Sequence, residues 1–367
     1  MMTEPVVLHV STPLSWRGGE QQAIYLFEEL DALGIKQHIL CSSGSKVKAY
    51  CKERNYPHST QKKSSSVSLS CGKAVKNACA KHGANIVHVH DAHAHTFAVL
   101  AATFFGNKVP IVVSRRVDFP VSKSPLSKWK YNHRMVKRIV CVSDCIRQIT
   151  APAIKRKEML TTVHSGIDLG RFTHENTGKL RADFGIGSDT LIIGNVAALA
   201  PHKDYRTFIR TAAALKQKGV NAKYLIVGEG DERRMIEREI QEMGLSNDVI
   251  MGGFRGDVPE ILPEFDVFLI TSETEGLGTS ILDAMACKVP VVAAKAGGIP
   301  EIVLHEQTGL LAEVKDHDGL AKQVLRVVND EQLKSQLVAG ATKHLQSFQK
   351  GETAKRTLAV YREILSA

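Results

Sequence analysis

Short apolar runs alternate with helix-patterned stretches along this chain of 367 residues, and the alternation starts twice. Residues 6–10 (Val-Val-Leu-His-Val) read as an inner strand, with 37–41, 86–90, 111–114, 139–142 and 162–164 as its successors. Between them, 19–33 carries apolar residues at helical spacing and stops at Gly34, and 92–105 does the same before Gly106. A polar stretch at 173–187 interrupts the pattern. Residues 191–196 then open a second series, with a helix over 205–218 and strands at 224–227, 249–251, 267–270 and 289–293. Alternation of this kind builds βαβ units on a parallel sheet. Two series in a chain too long for one ordinary core mean two domains. The expected fold class is α/β, two Rossmann-like domains facing each other across an interdomain cleft. The expected domains are 1–180, 181–350 and an amphipathic helical tail over 351–367, with the boundary near 175–188.

Composition narrows the setting. The chain is 43% hydrophobic and 23% charged, an ordinary globular balance. No run of 18 apolar residues occurs, which excludes a spanning helix. Met1 to Pro5 leads straight into a strand without a signal-peptide layout. The seven cysteines form no C-x-x-C pair and read as reduced, so the expected location is cytoplasmic, at or near the inner face of the membrane. Charge is uneven: through Phe172 there are 25 Lys and Arg against 11 Asp and Glu (+14), and after it 23 against 27 (−4). A basic first half suits an anionic partner.

The richest segment follows the strand at 267–270: Ser272-Glu273-Thr274-Glu275-Gly276-Leu277-Gly278-Thr279, then a helix carrying Asp283. Acid-Gly-x-Gly at a strand's carboxyl end and a helix's amino end is where open α/β sheets take phosphorylated ligands. Backbone N–H groups there face a diphosphate, while Glu275 and Asp283 are placed to grip sugar or ribose hydroxyls.

This segment resembles the E-x7-E motif of the retaining glycosyltransferases of family 4, with Asp283 as the second acid. Further motifs resemble the same family in order. Ser15-Trp16-Arg17-Gly18-Gly19-Glu20 is similar to its glycine-rich loop, and 163–172 to its N-G-[VI]-D-x-x-x-F pattern, with Ser165 for Asn. Residues 193–204 are similar to G-R-L-x-x-x-K-G, 225–230 to L-x-I-V-G-x-G, and 296–303 with 308–311 to G-G-x-x-E and G-L-L. The resemblance implies the two-domain glycosyltransferase B fold, with the C-terminal helix crossing back onto the first domain. It implies a nucleotide-sugar donor (UDP- or GDP-sugar) contacted by Gly18, Gly19, Lys203, Glu275, Gly276, Leu277, Gly278, Thr279 and Asp283, and no cofactor or metal. The family's phosphate-binding Arg is Ala198 here, so His202, Arg255 or His164 is expected to replace its charge. Departing diphosphate charge must be neutralised, and Lys203 with backbone N–H groups offers a metal-free way.

Four histidines crowd 88–95, but Asp91 falls one position early for a metallo-hydrolase motif. The resemblance instead implies a histidine near the donor sugar after this strand. His90 is the expected match, with His93 as runner-up and His88 as a core residue; His90, Glu275 and Lys203 form the expected catalytic set. Arg115 and Arg116, just past a strand, are expected to meet an anionic acceptor. Over 121–138, Lys and Arg interleave with Trp129, Tyr131 and Met135, a pattern open between a membrane-surface helix, a solvated basic face and a nucleic-acid groove. The expected partners are the donor, a glycan or lipid-linked acceptor and anionic membrane, not nucleic acid. Gly228-Glu229-Gly230 lacks the third glycine of a dinucleotide fingerprint.

The leading function is a retaining hexosyltransferase of cell-surface polysaccharide or lipopolysaccharide synthesis. A nucleotide-sugar 2-epimerase of the same fold and a non-catalytic sugar-nucleotide-binding module stay open beside it.

Overall fold

The computed structural model describes residues 3–62, 65–172 and 175–366. The chain divides into two compact units, one of Met1–Gly166 with Lys350–Ala367 and one of Ile167–Gln349.

Unit 1 holds seven strands: β1 (Val6–Ser11), β2 (Lys36–Ser42), β3 (His58–Gln61), β4 (Ile86–Val89), β5 (Ile111–Arg115), β6 (Val136–Cys141) and β7 (Leu160–Thr162). Its helices are α1 (Gly18–Ala32), α2 (Lys46–Glu53), α3 (Leu69–His82), α4 (Ala92–Phe104), α5 (Pro125–Tyr131) and α6 (Asp144–Thr150). The strands pair in parallel in the order β3-β2-β1-β4-β5-β6-β7. Apolar β-branched residues make up most of β4 and β5, with His88, Ser114 and Arg115 the exceptions, because helices cover both faces of such a sheet.

Unit 2 repeats the plan with six strands: β8 (Leu191–Val196), β9 (Ala222–Val227), β10 (Val249–Gly253), β11 (Val267–Ile270), β12 (Val291–Ala294) and β13 (Leu310–Ala312). They run parallel in the order β10-β9-β8-β11-β12-β13. The helices are α7 (Lys179–Phe184), α8 (Tyr205–Gln217), α9 (Arg233–Glu242), α10 (Val258–Ile261), α11 (Thr279–Ala286), α12 (Ile299–Ile302), α13 (His317–Asn329) and α14 (Glu331–Leu345). Its core joins Phe208, Ile209 and Leu215 of α8 to Tyr224, Ile226 and Leu269 of the sheet. The last helix, α15 (Lys350–Ser366), belongs to unit 1, where Leu358 and Tyr361 share a core cluster with Leu26 and Leu30 of α1.

Each sheet reverses its winding once, between β1 and β4 and between β8 and β11. In open α/β sheets the crevice beyond the strand ends at such a reversal is the natural ligand site.

Three expectations change. The chain leaves unit 1 at Gly166 rather than near 175–188. Gly166 is clamped in unit 1, its N–H and C=O bonded to the Gln22 amide at 2.9 and 2.7 Å. The polar stretch beyond is part of unit 2, where Glu264 caps α7 through Leu180 N and Arg181 N at 2.7 and 2.9 Å. Strands β3 and β13 are not read from sequence: β3 (His-Ser-Thr-Gln) has no apolar run, β13 (Leu-Leu-Ala) is only three residues long, and both lie at sheet edges.

Candidate active site

At the β8/β11 reversal the loops after the two strands are stitched together by backbone. Thr271 Oγ1 donates to the carbonyls of Lys203 and Asp204 at 3.1 and 3.0 Å, and Glu273 N donates to the His202 carbonyl at 2.8 Å. Lys203 ends a 3-10 turn, Pro201–Lys203. Asp204 follows at a φ of 47° and caps α8 through Thr207 N at 3.2 Å. This local geometry aims Lys203 Nζ at Glu275 Oε1, 2.5 Å away. Ser272 Oγ donates to the same oxygen at 2.8 Å. Glu275 is only 7% exposed. An ammonium and a carboxylate, 72 positions apart in sequence, thus meet in a largely dehydrated corner.

The glycines explain how the acid loop is held. A Cβ on Gly297 would sit 2.1 Å from the Glu275 carbonyl oxygen, and one on Gly298 would sit 2.4 Å from that of Gly276. Gly298 N instead bonds the Glu275 carbonyl at 2.9 Å. The Gly-Gly pair is therefore a bed for the acid loop. Gly228 and Gly230 serve the opposite loop, where a Cβ would strike the carbonyls of Ala197 and Leu199. Gly278, at a φ of 85°, turns the chain into α11. Leu277 is buried, whereas Gly276 and Thr279 are half-buried. Asp283 lies one turn into α11, partly buried; burial pushes its carboxyl up to about 7, with Arg171 opposing the rise.

One expected phosphate-binding substitute is already engaged elsewhere. Arg255 is spent on Asp257, in a bidentate pair at 2.7 and 2.6 Å, and on Asp183 at 2.7 Å. Those carboxylates hold its guanidinium firmly charged and tied to α7. His164 lies in unit 1, its carbonyl accepting from Thr353 Oγ1 at 2.9 Å. His202 is exposed beside Lys203, as is Ala198. Sequence reasoning missed Phe254, whose ring is 80% exposed immediately after β10. An apolar ring left in water at a strand's carboxyl end is the signal that could have found it.

The β1/β4 reversal is built differently. Asp91 accepts from Thr12 N and Thr12 Oγ1, both at 2.7 Å, and from His93 N and Ala94 N, both at 3.0 Å, tying β1 to the start of α4. That capping duty accounts for the acid within the histidine run. His90 is buried, with Nε2 3.0 Å from His9 Nδ1. His9 Nε2 meets Gln37 Oε1 at 3.1 Å, while His88 bonds Tyr361 OH at 2.5 Å and Ser114 Oγ at 2.8 Å. The converging rings are thus His9, His88 and His90, with nitrogens within 4.8 Å of one another, not the run 88–95. Burial lowers all three, His9 to about 4, so they are neutral. Both nitrogens of His9 and of His88 are engaged, and a metal would have to displace those bonds. His9 escaped notice because it lies 81 positions from His90, inside an unremarkable apolar strand.

Gly18 and Gly19 open α1, with space free around both. Arg116 donates to the His90 carbonyl at 3.3 Å, and burial lowers it to about 10. Arg115 is not available to an acceptor. It is 6% exposed, bonded to Tyr131 OH at 3.4 Å and to the Phe119 carbonyl, with both rings against its guanidinium. The alternation along β5 turns it into the layer beneath α5, so it fastens structure.

Comparison with known proteins agrees with this architecture. Residues 16–171 match the family model described as "Glycosyltransferase Family 4" and 176–344 the one described as "Glycosyl transferases group 1". The chain belongs to glycosyltransferase family 4. Among family relatives, an N-acetyl-alpha-D-glucosaminyl L-malate synthase of Bacillus anthracis is 30% identical over 68% of this chain and 66% of its own. A D-inositol 3-phosphate glycosyltransferase of Saccharomonospora viridis is 28% identical over 57% of this chain and 51% of its own. The chain therefore spans less than two thirds of either relative. A UDP-Gal:alpha-D-GlcNAc-diphosphoundecaprenol alpha-1,3-galactosyltransferase of Escherichia coli is 25% identical over 68% of this chain and 67% of its own. Among solved structures, Anabaena Alr3699/HepE in complex with UDP and glucose superposes with a TM-score of 0.85 at 21% identity, over 98% of this chain and 99% of that one. A glycosyltransferase of Rickettsia africae does so equally well, covering 99% of each chain. These likenesses establish the fold as that of the family's two-sheet glycosyltransferases.

Proposed function

We propose that this protein is a retaining hexosyltransferase that takes its sugar from a UDP- or GDP-sugar. The observation that carries the reading is the Lys203–Glu275 pair at the β8/β11 reversal. Lys203 Nζ and the N–H groups of Gly276 to Thr279 receive the diphosphate, and Glu275 accepts from the donor sugar's hydroxyls. Asp283 takes the ribose, and the Phe254 ring takes the base. Gly18 and Gly19, exposed and half-buried at the α1 start, are assigned to the donor diphosphate, and His90 to the donor sugar. In the reaction the bond from the anomeric carbon to the diphosphate oxygen breaks while an acceptor hydroxyl oxygen bonds to the same carbon on the same face. The electron pair leaves with the diphosphate, and the acceptor's proton is released. Fixed positive charge at the leaving oxygen stabilises this step most. The UDP bound by HepE and the UDP-Gal named for the E. coli relative support such a donor. The lipid diphosphate named for that relative supports a glycan or lipid-linked acceptor, in surface polysaccharide or lipopolysaccharide synthesis.

A second reading, a sugar-nucleotide-binding module without turnover, is favoured by one observation. With Ala198 in place of the family Arg and Arg255 tied to Asp183 and Asp257, Lys203 carries the phosphate charge with little help. A panel of nucleotide sugars separates the readings. Transfer predicts nucleoside diphosphate release that persists in EDTA, product with the donor's anomeric configuration and loss of release in Glu275→Gln. A melting-point rise with a donor and no release supports the module. Conversion of the nucleotide sugar to its 2-epimer without an acceptor supports the epimerase.

A further inference from the structure

The geometry points to α5 and its flanks as a docking surface for an anionic lipid bilayer. This goes beyond the transfer reading and does not depend on the roles given to Lys203 and Glu275.

The helix is inverted relative to an ordinary surface helix. Its polar side faces inward: Lys130 is 9% exposed, with Nζ donating to the Ala92 carbonyl at 3.1 Å and to Thr96 Oγ1 at 3.4 Å. Tyr131 packs edge-on against buried His95, and Arg115 fastens the same ring from beneath. Its apolar side faces water. Leu126 is 47% exposed and Trp129 37%, three positions apart on one face. On the flanks, Phe119, 59% exposed, lies over Arg115, whose guanidinium also meets Tyr131 of α5, and Phe104, 63% exposed, ends α4 next to Thr103, which bonds His133 beside Trp129. A helix already held by buried polar bonds gains no stability from an exposed tryptophan and leucine, so those rings need another environment.

Charge says which one. From Phe119 through Ser143 the chain has 25 residues, six of them Lys or Arg and none acidic. Lys123, Lys128, Arg134 and Lys137 are exposed, and among the described residues none has an ion-pair partner. Aromatic and aliphatic groups ringed by unpaired cations match the interface of an anionic bilayer, where rings enter the headgroup layer and ammonium groups meet phosphates. A nucleic-acid groove would expose stacking rings along a concave track. Here the rings stand on the outward face of a short helix.

The test uses the full chain in a Trp16→Phe background, which leaves Trp129 as the sole tryptophan. The protein is mixed with phosphatidylcholine vesicles, with or without phosphatidylglycerol, without donor or acceptor. The expected result is sedimentation with the anionic vesicles only, weakening with salt, together with a blue shift of Trp129 emission. Leu126→Glu with Trp129→Glu, and separately Lys123→Glu with Lys128→Glu, should each weaken sedimentation roughly tenfold or more. All four positions are exposed, and an unchanged melting point verifies folding. Four results would overturn the proposal: no partition at low salt; equal partition into neutral vesicles; partition without change at Trp129; or variants that bind as the parent does. Quenching of Trp129 by a single-stranded oligonucleotide but not by vesicles would overturn it in favour of nucleic acid. Because the vesicles carry no substrate, none of these results bears on the donor site.

Discussion

The two sheets reverse at equivalent places and put opposite chemistry there. At the β8/β11 reversal stands a charged pair, Lys203 and Glu275, whose mutual bond a ligand can take over while Ser272 Oγ stays on the carboxylate. At the β1/β4 reversal stand neutral imidazoles, each bonded into the sheet or α15, and an acid consumed by capping. A phosphate and a set of hydroxyls can replace the first arrangement bond for bond. They cannot replace the second without leaving Tyr361 or Thr12 unpaired. The same topology thus supplies one exchangeable site and one fixed frame, and what separates them is whether the polar groups answer to each other or to the scaffold.

The sharpest way to break this comparison is at the charged pair. Glu275→Gln removes the carboxylate but keeps the shape. We expect turnover to fall by about 10²–10³, with tighter binding of nucleoside diphosphate because Lys203 is released to it. Calorimetry on the free diphosphate checks the second half; weaker binding in Glu275→Gln would mean that the pair is not exchanged on ligation. Next in size is Gly297→Ala. The added methyl meets the Glu275 carbonyl at 2.1 Å in a backbone with φ of 52°. We expect a loss of roughly 1–3 kcal/mol of stability and at least tenfold in turnover, read by denaturation and by diphosphate release.

Much of this was legible in the chain. Strands β8 and β11 match their apolar runs, because a strand buried on both faces writes itself as continuous hydrophobicity. Glu275 and Lys203 could be picked out separately because glycines and a strand end frame each. Their contact could not, since it depends on backbone bonds such as Glu273 N to the His202 carbonyl. Arg115 and Arg255 misled for one reason. A cation near a strand's carboxyl end looks available in sequence, and only packing reveals that Tyr131 or Asp257 already holds it. Edge strand β3, His-Ser-Thr-Gln, carries no apolar signal at all.

A smaller effect sharpens the other half of the comparison. His88→Ala would strand the buried Tyr361 hydroxyl, which now meets Nδ1 at 2.5 Å. The expected cost is about 1–3 kcal/mol, with diphosphate affinity unchanged. A drop in affinity without a drop in melting point would mean that the histidine frame takes part in binding.

The last effect is the share of the pH dependence that Asp283 contributes. Its carboxyl titrates at about 7 in the folded protein, against an ordinary value of 3.8. Between those values the folded state holds a proton that the unfolded state has lost, so the Asp283 contribution to stability falls as pH rises from about 4 to about 7 and levels off above, while His9, His88 and His90, kept neutral by burial, contribute with the opposite sign up to the ordinary histidine range. The stability difference between the parent and Asp283→Asn isolates the Asp283 contribution and should fall over this range. Donor binding runs the other way. Ribose hydroxyls donate, so they favour the ionised carboxylate, and ligation expels the proton. Between pH 6 and pH 8 donor affinity should rise by about tenfold, the limit set by one group titrating near 7. Titration of the donor's own phosphates would contribute equally to Asp283→Asn, so the difference between the two proteins isolates the acid. If both show the same slope, Asp283 does not meet the ribose, and the second acid of the motif serves α11 alone.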